Sequence, residues 1–184
     1  MFFKDNLALI SEKNPDLAQN LSQIFIVQAE ENIEVYMSEC GDYVLSYDGL
    51  ILDDMLAPAE LAKKNFEENV PSDYTNNDVV IVFGLGAGYL FKHAVTFTNA
   101  KVVLIEPKID ILRYCTEYVD FSNEFAKDNV YIFSDIKLAE FQIKKLYMQD
   151  NSHVSVIYPE AYLQLTPDIL GEFQNNITKF ITKD

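Results

Sequence analysis

The segment that most constrains the fold is a short apolar run that leads into a glycine-spaced turn. Residues 79–83 read VVIVF and residues 84–89 read GLGAGY. Five successive β-branched or aromatic residues predict a strand covered on both faces, as in a parallel sheet. The glycines let the chain turn tightly and place free amides at the positive end of the next helix. The pattern therefore predicts the strand, turn and helix of a βαβ unit.

The same alternation continues along the second part of the chain. Strands are predicted at 102–105, 130–133 and 154–158, with helices near 89–98, 108–118, 136–148 and 167–181. Apolar runs of strand length that alternate with helical segments indicate parallel βαβ units. The predicted fold class is therefore α/β, with a Rossmann-like, doubly wound and mainly parallel sheet.

The first 76 residues follow a different pattern. Asn14-Pro15 predicts the N-cap and first residue of a helix, and a second helix is predicted from Pro58 through Phe66. Between them, strands are predicted at 24–28, 33–38 and 43–46, and Asp48-Gly49 has the chemistry of a tight hairpin turn. A small antiparallel β-meander with helices is expected here. The predicted domains are 1–76 and 77–184, with one compact unit as the alternative.

Charge limits the partners that the chain can have. It carries 29 acidic and 14 basic residues, for a formal net charge of −15. Binding to phosphates requires clustered lysine and arginine, so the charge argues against nucleic acid and against an anionic membrane. Residues 1–76 hold 15 acids and 4 lysines, whereas 77–184 hold 14 acids and 10 bases. An anionic ligand is therefore expected in the second part.

Cysteine and histidine positions indicate neither a disulfide framework nor a metal site. Cys40 and Cys115 lie far apart, so both are predicted to be buried thiols in a reducing compartment. His93 and His153 have no carboxylate or cysteine at ligand spacing, and no residue pair indicates acid–base catalysis. No signal peptide or spanning segment is visible, so a cytoplasmic location is expected.

Candidate ligand-binding residues follow the predicted strands. Gly84, Gly86 and Gly88 form GxGxG, whereas the dinucleotide fingerprint GxGxxG would have its third glycine where Tyr89 stands, so NAD and FAD are disfavoured. Glu106, at the end of the second strand of the sheet, can accept the hydroxyls of a ribose or cap the helix that follows.

Two further strand ends carry candidates. Asp135 can contact an adenine or serve as an N-cap, while Pro159 and Tyr162 follow the fourth strand of the sheet, where α/β sheets bind ligands. The alternative for the glycines is that they only permit the turn and close packing.

The motifs resemble those of class I S-adenosylmethionine-dependent methyltransferases. The resemblance rests on GxGxG, Glu106 and Ser134-Asp135 at successive strand ends. It implies a nucleoside site there. The chain departs from the family pattern at Val82, where these enzymes usually carry an acid.

A closer resemblance is to the N-terminal domain of the motility-associated factor (Maf) glycosyltransferases. It rests on five segments in order, PAELA at 58–62, VFGLGAGY at 82–89, VLIEP at 103–107, VDFS at 119–122 and IYPEAY at 157–162, and covers roughly residues 24–170. The family is implicated in attaching nonulosonic acids to flagellin in bacteria, and its members carry a further, sialyltransferase-like domain.

This resemblance implies a domain that is itself not catalytic, and whose partners are the remaining glycosyltransferase domain and flagellin. It leaves open whether the chain forms homo-oligomers. The ligand-binding candidates are Gly84, Leu85, Gly86, Gly88, Tyr89, Glu106, Asp135, Pro159 and Tyr162, for a nucleotide or S-adenosylmethionine-like ligand. The alternatives are a small methyltransferase and a purely structural or oligomerising module with an empty turn.

Overall fold

The structure, a computed structural model, describes residues 1–150 and 152–181. Its helices are α1 (Phe3–Lys13), α2 (Pro15–Gln23), α3 (Ile26–Glu30), α4 (Pro58–Asn69), α5 (Tyr89–Phe97), α6 (Ile109–Tyr118), α7 (Ser122–Phe125), α8 (Ile136–Asp150), α9 (Tyr162–Leu165) and α10 (Pro167–Ile181). Its strands are β1 (Ile33–Met37), β2 (Tyr43–Tyr47), β3 (Leu50–Ile51), β4 (Val79–Phe83), β5 (Lys101–Ile105), β6 (Val130–Phe133) and β7 (Val154–Ile157). Residues 182–184, at the end of the predicted second domain, lie outside the described residues.

Four parallel strands form the larger sheet, in the order β6-β5-β4-β7. This confirms the predicted α/β class and all four predicted strands of the second part to within a residue at each end. β4 lies inside the sheet, and each of its five residues is fully buried. Alternate residues of β4 face two separate apolar layers, as the two-residue period of a strand requires.

One of these layers joins the two predicted domains. Val80 and Val82 of β4 belong to the same buried cluster as Leu21 of α2 and Leu45 of β2. The other layer, under Val79, Ile81 and Phe83, is closed by α8 and α10. The first 76 residues therefore pack on one face of the parallel sheet, while the division at residue 76 stays a prediction.

The antiparallel sheet has the order β1-β2-β3. An antiparallel meander was predicted, and β1 and β2 match two of its predicted strands, whereas β3 was not among them. The tight turn between β2 and β3 falls at Asp48 and Gly49, whose φ angles are 50° and 79°. Two successive positive φ values match the twist of antiparallel strands, and an aspartate and a glycine tolerate them. The predicted hairpin turn is confirmed.

Two predictions for the first part need correction, and one helix there was not predicted. Residues 24–28 are not a strand, because α3 begins at Ile26 and Gln28 hydrogen-bonds back to the amide of Phe25. An unpredicted helix, α1, covers residues 3–13. Cys40 is exposed rather than buried, because it lies in the turn between β1 and β2, whereas Cys115 is buried as predicted.

α1 is held by a buried side chain that carried no sequence signal. Asn6 donates to the carbonyls of Thr116 and Val119 at 2.9 and 2.8 Å, and accepts from the amide of Phe121 at 3.1 Å. A buried amide is stable only when its polar atoms are paired. These three hydrogen bonds therefore hold α1 against the end of α6. Within residues 1–150 and 152–181, none of the helices has the length and apolarity needed to cross a membrane.

Candidate functional site

The glycine-spaced turn lies where the parallel sheet reverses its strand order. From β4 the chain moves outward to β5 and β6, and then returns to place β7 on the opposite side of β4. Open α/β sheets bind ligands outside the carboxyl ends of strands at such a switch point. The loops 84–88 and 158–161, which follow β4 and β7, meet at this edge. This edge is therefore the candidate site.

Two amides of the turn donate hydrogen bonds to buried side chains of the same protein. Leu85 N donates to Glu106 Oε2 at 2.8 Å and to the Tyr162 hydroxyl at 3.2 Å. Gly86 N donates to the same hydroxyl at 3.2 Å. The hydroxyl in turn donates to Glu106 Oε2. The phenol oxygen thus occupies the position at which an oxygen of a bound ligand would accept from these amides.

The aromatic ring of Tyr162 fills the space that the glycine leaves free. Gly84 has a φ of 96°, and a Cβ atom at this position would lie 2.5 Å from the Tyr162 ring. Tyr162 itself is fully buried and packs edge-to-face on Phe83. Close approach of backbone and ring is therefore the reason that only glycine fits at position 84.

Glu106 is fully buried and uses both carboxylate oxygens inside the protein. Oε2 accepts from Leu85 N and from Tyr162, and Oε1 accepts from the amide of Lys108 at 2.8 Å. Burial raises the pKa of this carboxyl to about 7, although its hydrogen bonds favour the charged form. Because Glu106 is fully buried, a ribose could reach it only if the surrounding groups moved aside.

A second carboxylate, Asp53, was absent from the sequence-based candidates. Its two oxygens accept from Ala87 N at 3.2 and 3.0 Å, and one of them also accepts from Leu45 N at 3.4 Å. Burial raises its pKa to about 7. A Cβ atom at Gly86 would lie 2.6 Å from Asp53. The hydrogen bonds of Asp53 therefore connect the turn to strand β2. Asp53 and Ala87 lie 34 residues apart, so no local sequence pattern indicates this contact.

The remaining amides of the turn donate to backbone carbonyls. Gly84 N donates to Ile105 O at 2.7 Å, and Gly88 N donates to Leu85 O at 2.8 Å. Gly88, with a φ of 98°, then forms the N-cap of α5. Every amide from residue 84 to residue 88 consequently has an acceptor within the chain. The turn is a structural junction, and the groups that would hold a nucleoside are already paired.

An open cleft of about 430 Å³ lies next to this junction. Two of the predicted ligand-binding residues, Tyr89 and Pro159, line it. Its acidic and basic lining residues are Asp53, Asp54, Glu68 and Glu160 with Lys64. Because carboxylates outnumber the lysine, a phosphate-bearing ligand would meet an excess of negative charge.

The predicted site residues thus separate into three groups. Gly84, Leu85, Gly86, Gly88, Glu106 and Tyr162 come together in the buried junction, whereas Tyr89 and Pro159 reach the cleft. Asp135 lies apart from both: it is exposed, and its carboxylate accepts from Leu138 N at 3.0 Å in the first turn of α8. The N-cap alternative for Asp135 is confirmed. Whether the junction residues bind a ligand stays a prediction.

The histidines and cysteines lie outside the junction, except for Cys115, whose thiol donates to Gly86 O at 3.2 Å. Burial raises the pKa of this thiol well above its usual value, which leaves it protonated and unreactive. His93 packs on the rings of Phe66 and Phe97. Among the described residues, no group of three or more potential ligand side chains is placed to hold a metal ion.

Comparison with known proteins gives a structural match but no sequence match. No protein-family model and no curated protein sequence matches the chain. A Maf glycosyltransferase from Magnetospirillum magneticum AMB-1 superposes with a TM-score of 0.64 at 14% sequence identity, over 98% of this chain and 34% of that one. The chain thus shares its fold with about a third of that protein.

A methyltransferase structure was also found, with a lower score. Coclaurine N-methyltransferase, bound to N-methylheliamine and S-adenosylhomocysteine, has a TM-score of 0.33 at 15% identity, over 73% of this chain and 40% of that one.

Proposed function

We propose that this chain is a non-catalytic N-terminal domain of a Maf-type protein glycosyltransferase that modifies flagellin with nonulosonic acid. The observation that carries the proposal is the superposition of nearly the whole chain on a Maf glycosyltransferase. The order of the sequence motifs at 58–62, 82–89, 103–107, 119–122 and 157–162 supports the same family. On this proposal, the transfer reaction takes place in a further domain of the protein.

The filled junction supports the non-catalytic part of the proposal. Both carboxylate oxygens of Glu106 already accept hydrogen bonds, and the Tyr162 hydroxyl accepts from two amides of the turn. Among the ionisable residues that line the adjoining cleft, carboxylates outnumber the one lysine. A sugar nucleotide carries phosphate, which requires free amides or cationic side chains. The domain is therefore expected to position the transferase and its partner protein rather than to hold the sugar donor.

The family assignment is tested in the bacterium that encodes the chain. We expect the reading frame to include a sialyltransferase-like region, and an in-frame deletion of this domain to abolish the nonulosonic acid mass on flagellin. Glu106→Gln, which preserves size and one acceptor oxygen, should leave that mass unchanged. A reading frame without such a region would overturn the family assignment, and loss of modification in a folded Glu106→Gln protein would overturn the non-catalytic role.

Ligand binding is tested separately on the purified chain. Calorimetric titration with S-adenosylhomocysteine, and with CMP as a fragment of an activated nonulosonic acid, should show no binding to the wild type. Micromolar binding of S-adenosylhomocysteine that Glu106→Gln abolishes would instead establish the methyltransferase alternative. Binding of CMP that the same variant abolishes would show that the domain helps to hold the donor.

A further inference from the structure

Strand β1 leaves one edge of the meander open. It is the outer strand of its sheet, and within residues 1–150 and 152–181 its strand partner is β2. Proteins usually protect such an edge with charged residues, above all lysine, or with a proline, a bulge or a covering segment. β1 reads IEVYM, in which Glu34 is the charged residue and which contains neither lysine nor proline, and all five of its residues pair in continuous register with β2. The edge is therefore available for pairing with another strand.

Apolar side chains are exposed around this edge. Four residues of β1 are exposed, among them Val35 and Met37. Tyr43, which is 63% exposed, lies opposite Met37 in the register. The segment that contains Met55 and Leu56, both exposed, hydrogen-bonds to the turn between β1 and β2. We call Val35, Met37, Tyr43, Met55 and Leu56 the hairpin patch.

The hairpin patch lies in the most acidic part of the chain. No lysine, arginine or histidine occurs between Lys13 and Lys63, whereas residues 30–54 contain eight acids. Lys108, from the second part, reaches the ring of Tyr47, at the opposite end of β2 from the patch. A surface that combines exposed apolar groups with carboxylates that form no ion pair within residues 1–150 and 152–181 fits a partner that is apolar and basic.

Strand β2, which carries Tyr43 of the hairpin patch, is also hydrogen-bonded to the second part of the chain. The Tyr89 hydroxyl donates to Tyr43 O at 2.8 Å, and Asp53 accepts from both Leu45 N and Ala87 N. β2 is thereby tied to the start of α5 and to the buried junction. A strand edge that is ordered before binding loses little conformational entropy when a partner pairs with it.

We propose that the outer edge of β1 binds an extended, basic segment of another polypeptide as an added strand. Its backbone would pair with β1, its alternate apolar side chains would contact the hairpin patch, and its lysines or arginines would face the surrounding carboxylates. A second copy of this chain fits less well, because the same acidic residues would then face each other. The proposal does not depend on the function proposed above.

The test uses the folded chain and two synthetic peptides of equal charge. KKTVTVTKK can adopt a strand with apolar residues on one face, whereas KKTPTPTKK has the same lysines but prolines that prevent strand pairing. We expect the first peptide to bind about tenfold or more tightly than the second, by fluorescence anisotropy in about 50 mM salt. Amide chemical shifts in β1 should change on its addition.

Charge-matched variants distinguish peptide binding at the β1 edge from attraction by the net charge of the protein. Val35→Lys and Met37→Lys should each weaken binding of KKTVTVTKK about tenfold. Phe141→Lys, at an exposed position on α8, adds the same charge elsewhere and should not weaken binding to that extent. Circular dichroism and thermal melting confirm that the variants are folded.

Four results would overturn the proposal. Equal binding of the two peptides, or equal weakening by Phe141→Lys, would show that only the net charge attracts them. Absence of binding would show that the edge is not used for a basic strand. Concentration-dependent dimers in sedimentation that Val35→Lys abolishes would show that the edge instead joins two copies of the chain.

Discussion

Strands β4 and β1 are both five residues long and both largely apolar, yet they have opposite environments. β4 lies between β5 and β7, and all of its residues are fully buried. β1 lies at the edge of its sheet, and only Ile33 is buried. Composition alone does not separate the two strands. Their positions in the sheets make one the centre of the core and leave the other exposed.

The two regions differ in the same way in their backbone hydrogen bonds. After β4, the amides of residues 84–88 all have acceptors, including Glu106, Tyr162 and Asp53. Beside β1, the outer edge has no neighbouring strand among the described residues. The segment with the motif of a ligand site is thus the one that is paired internally. The capacity for further binding lies in the segment that carried no motif.

The largest expected loss of stability comes from adding a methyl group at Gly84, inside the buried junction. Gly84→Ala would place a methyl group 2.5 Å from the Tyr162 ring, at a φ of 96°. Strain and steric conflict together should lower the free energy of unfolding by more than about 3 kcal/mol in urea denaturation. Gly171→Ala in α10 is the control, because no described atom outside the adjacent residues and the surrounding helix backbone lies within 4 Å of the added methyl group. It should raise stability by about 0.5 to 1 kcal/mol.

The next effect comes from removing the acceptor at the centre of the junction. Glu106→Leu leaves the amides of Leu85 and Lys108 and the Tyr162 hydroxyl without their shared partner. We expect a loss of about 2 to 3 kcal/mol in chemical denaturation. Glu106→Gln keeps one acceptor oxygen and should lose less. Equal losses in the two variants would show that packing, and not hydrogen bonding, is what Glu106 provides.

The same residue makes stability depend on pH. Burial raises the folded pKa of Glu106 to about 7 from 4.5, so the unfolded chain releases this proton first. The contribution of Glu106 to stability is therefore complete below pH 4.5, falls as the pH rises, and levels off above pH 7, by about 3 kcal/mol in total. Relative to Glu106→Gln, the wild type should lose stability over this range. A constant difference between the two proteins from pH 4.5 to 7 would contradict the raised pKa of Glu106.

The parallel sheet was predictable because its signals are local. VVIVF at 79–83 and the later apolar runs each have the length and composition of a buried strand, and the structure has strands at all four. Residues 24–28 were mispredicted as a strand because FIVQ is also rich in β-formers. Residues 26–28 instead belong to the short helix α3, which packs against α6. Tertiary packing there outweighs propensity.

The junction was only partly predictable. Gly84, Glu106 and Tyr162 were selected as ligand-binding residues, and the structure brings them together, but with one another as partners. Burial of a tyrosine on a glycine is a relation across 78 residues that sequence spacing does not encode. Asp53 was missed for the same reason, since its partner Ala87 lies in another part of the chain.

A smaller loss of stability should follow from removing the hydrogen bonds that connect the turn after β4 to strand β2. Asp53→Ala removes the acceptor that Ala87 N and Leu45 N share. We expect a loss of about 1 to 2 kcal/mol and faster hydrogen exchange at both amides, measured by NMR. Asp54→Ala is the neighbouring control, because among the described residues the partners of Asp54 are the nearby amides of Leu56 and Ala57. If Asp54→Ala accelerates exchange at Ala87 equally, Asp53 is not the link.

The smallest effect is expected on β1, and it tests the comparison directly. Val35→Thr makes a change in the edge strand β1 that Val80→Thr repeats in the buried strand β4. Val80 is fully buried, so a hydroxyl there lacks water and should cost about 1 to 3 kcal/mol. Val35 is 46% exposed, so its threonine can bond to solvent and should change the free energy of unfolding by less than about 0.5 kcal/mol. A comparable loss from both variants would mean that β1 carries part of the core, and the edge would then be unavailable to a partner.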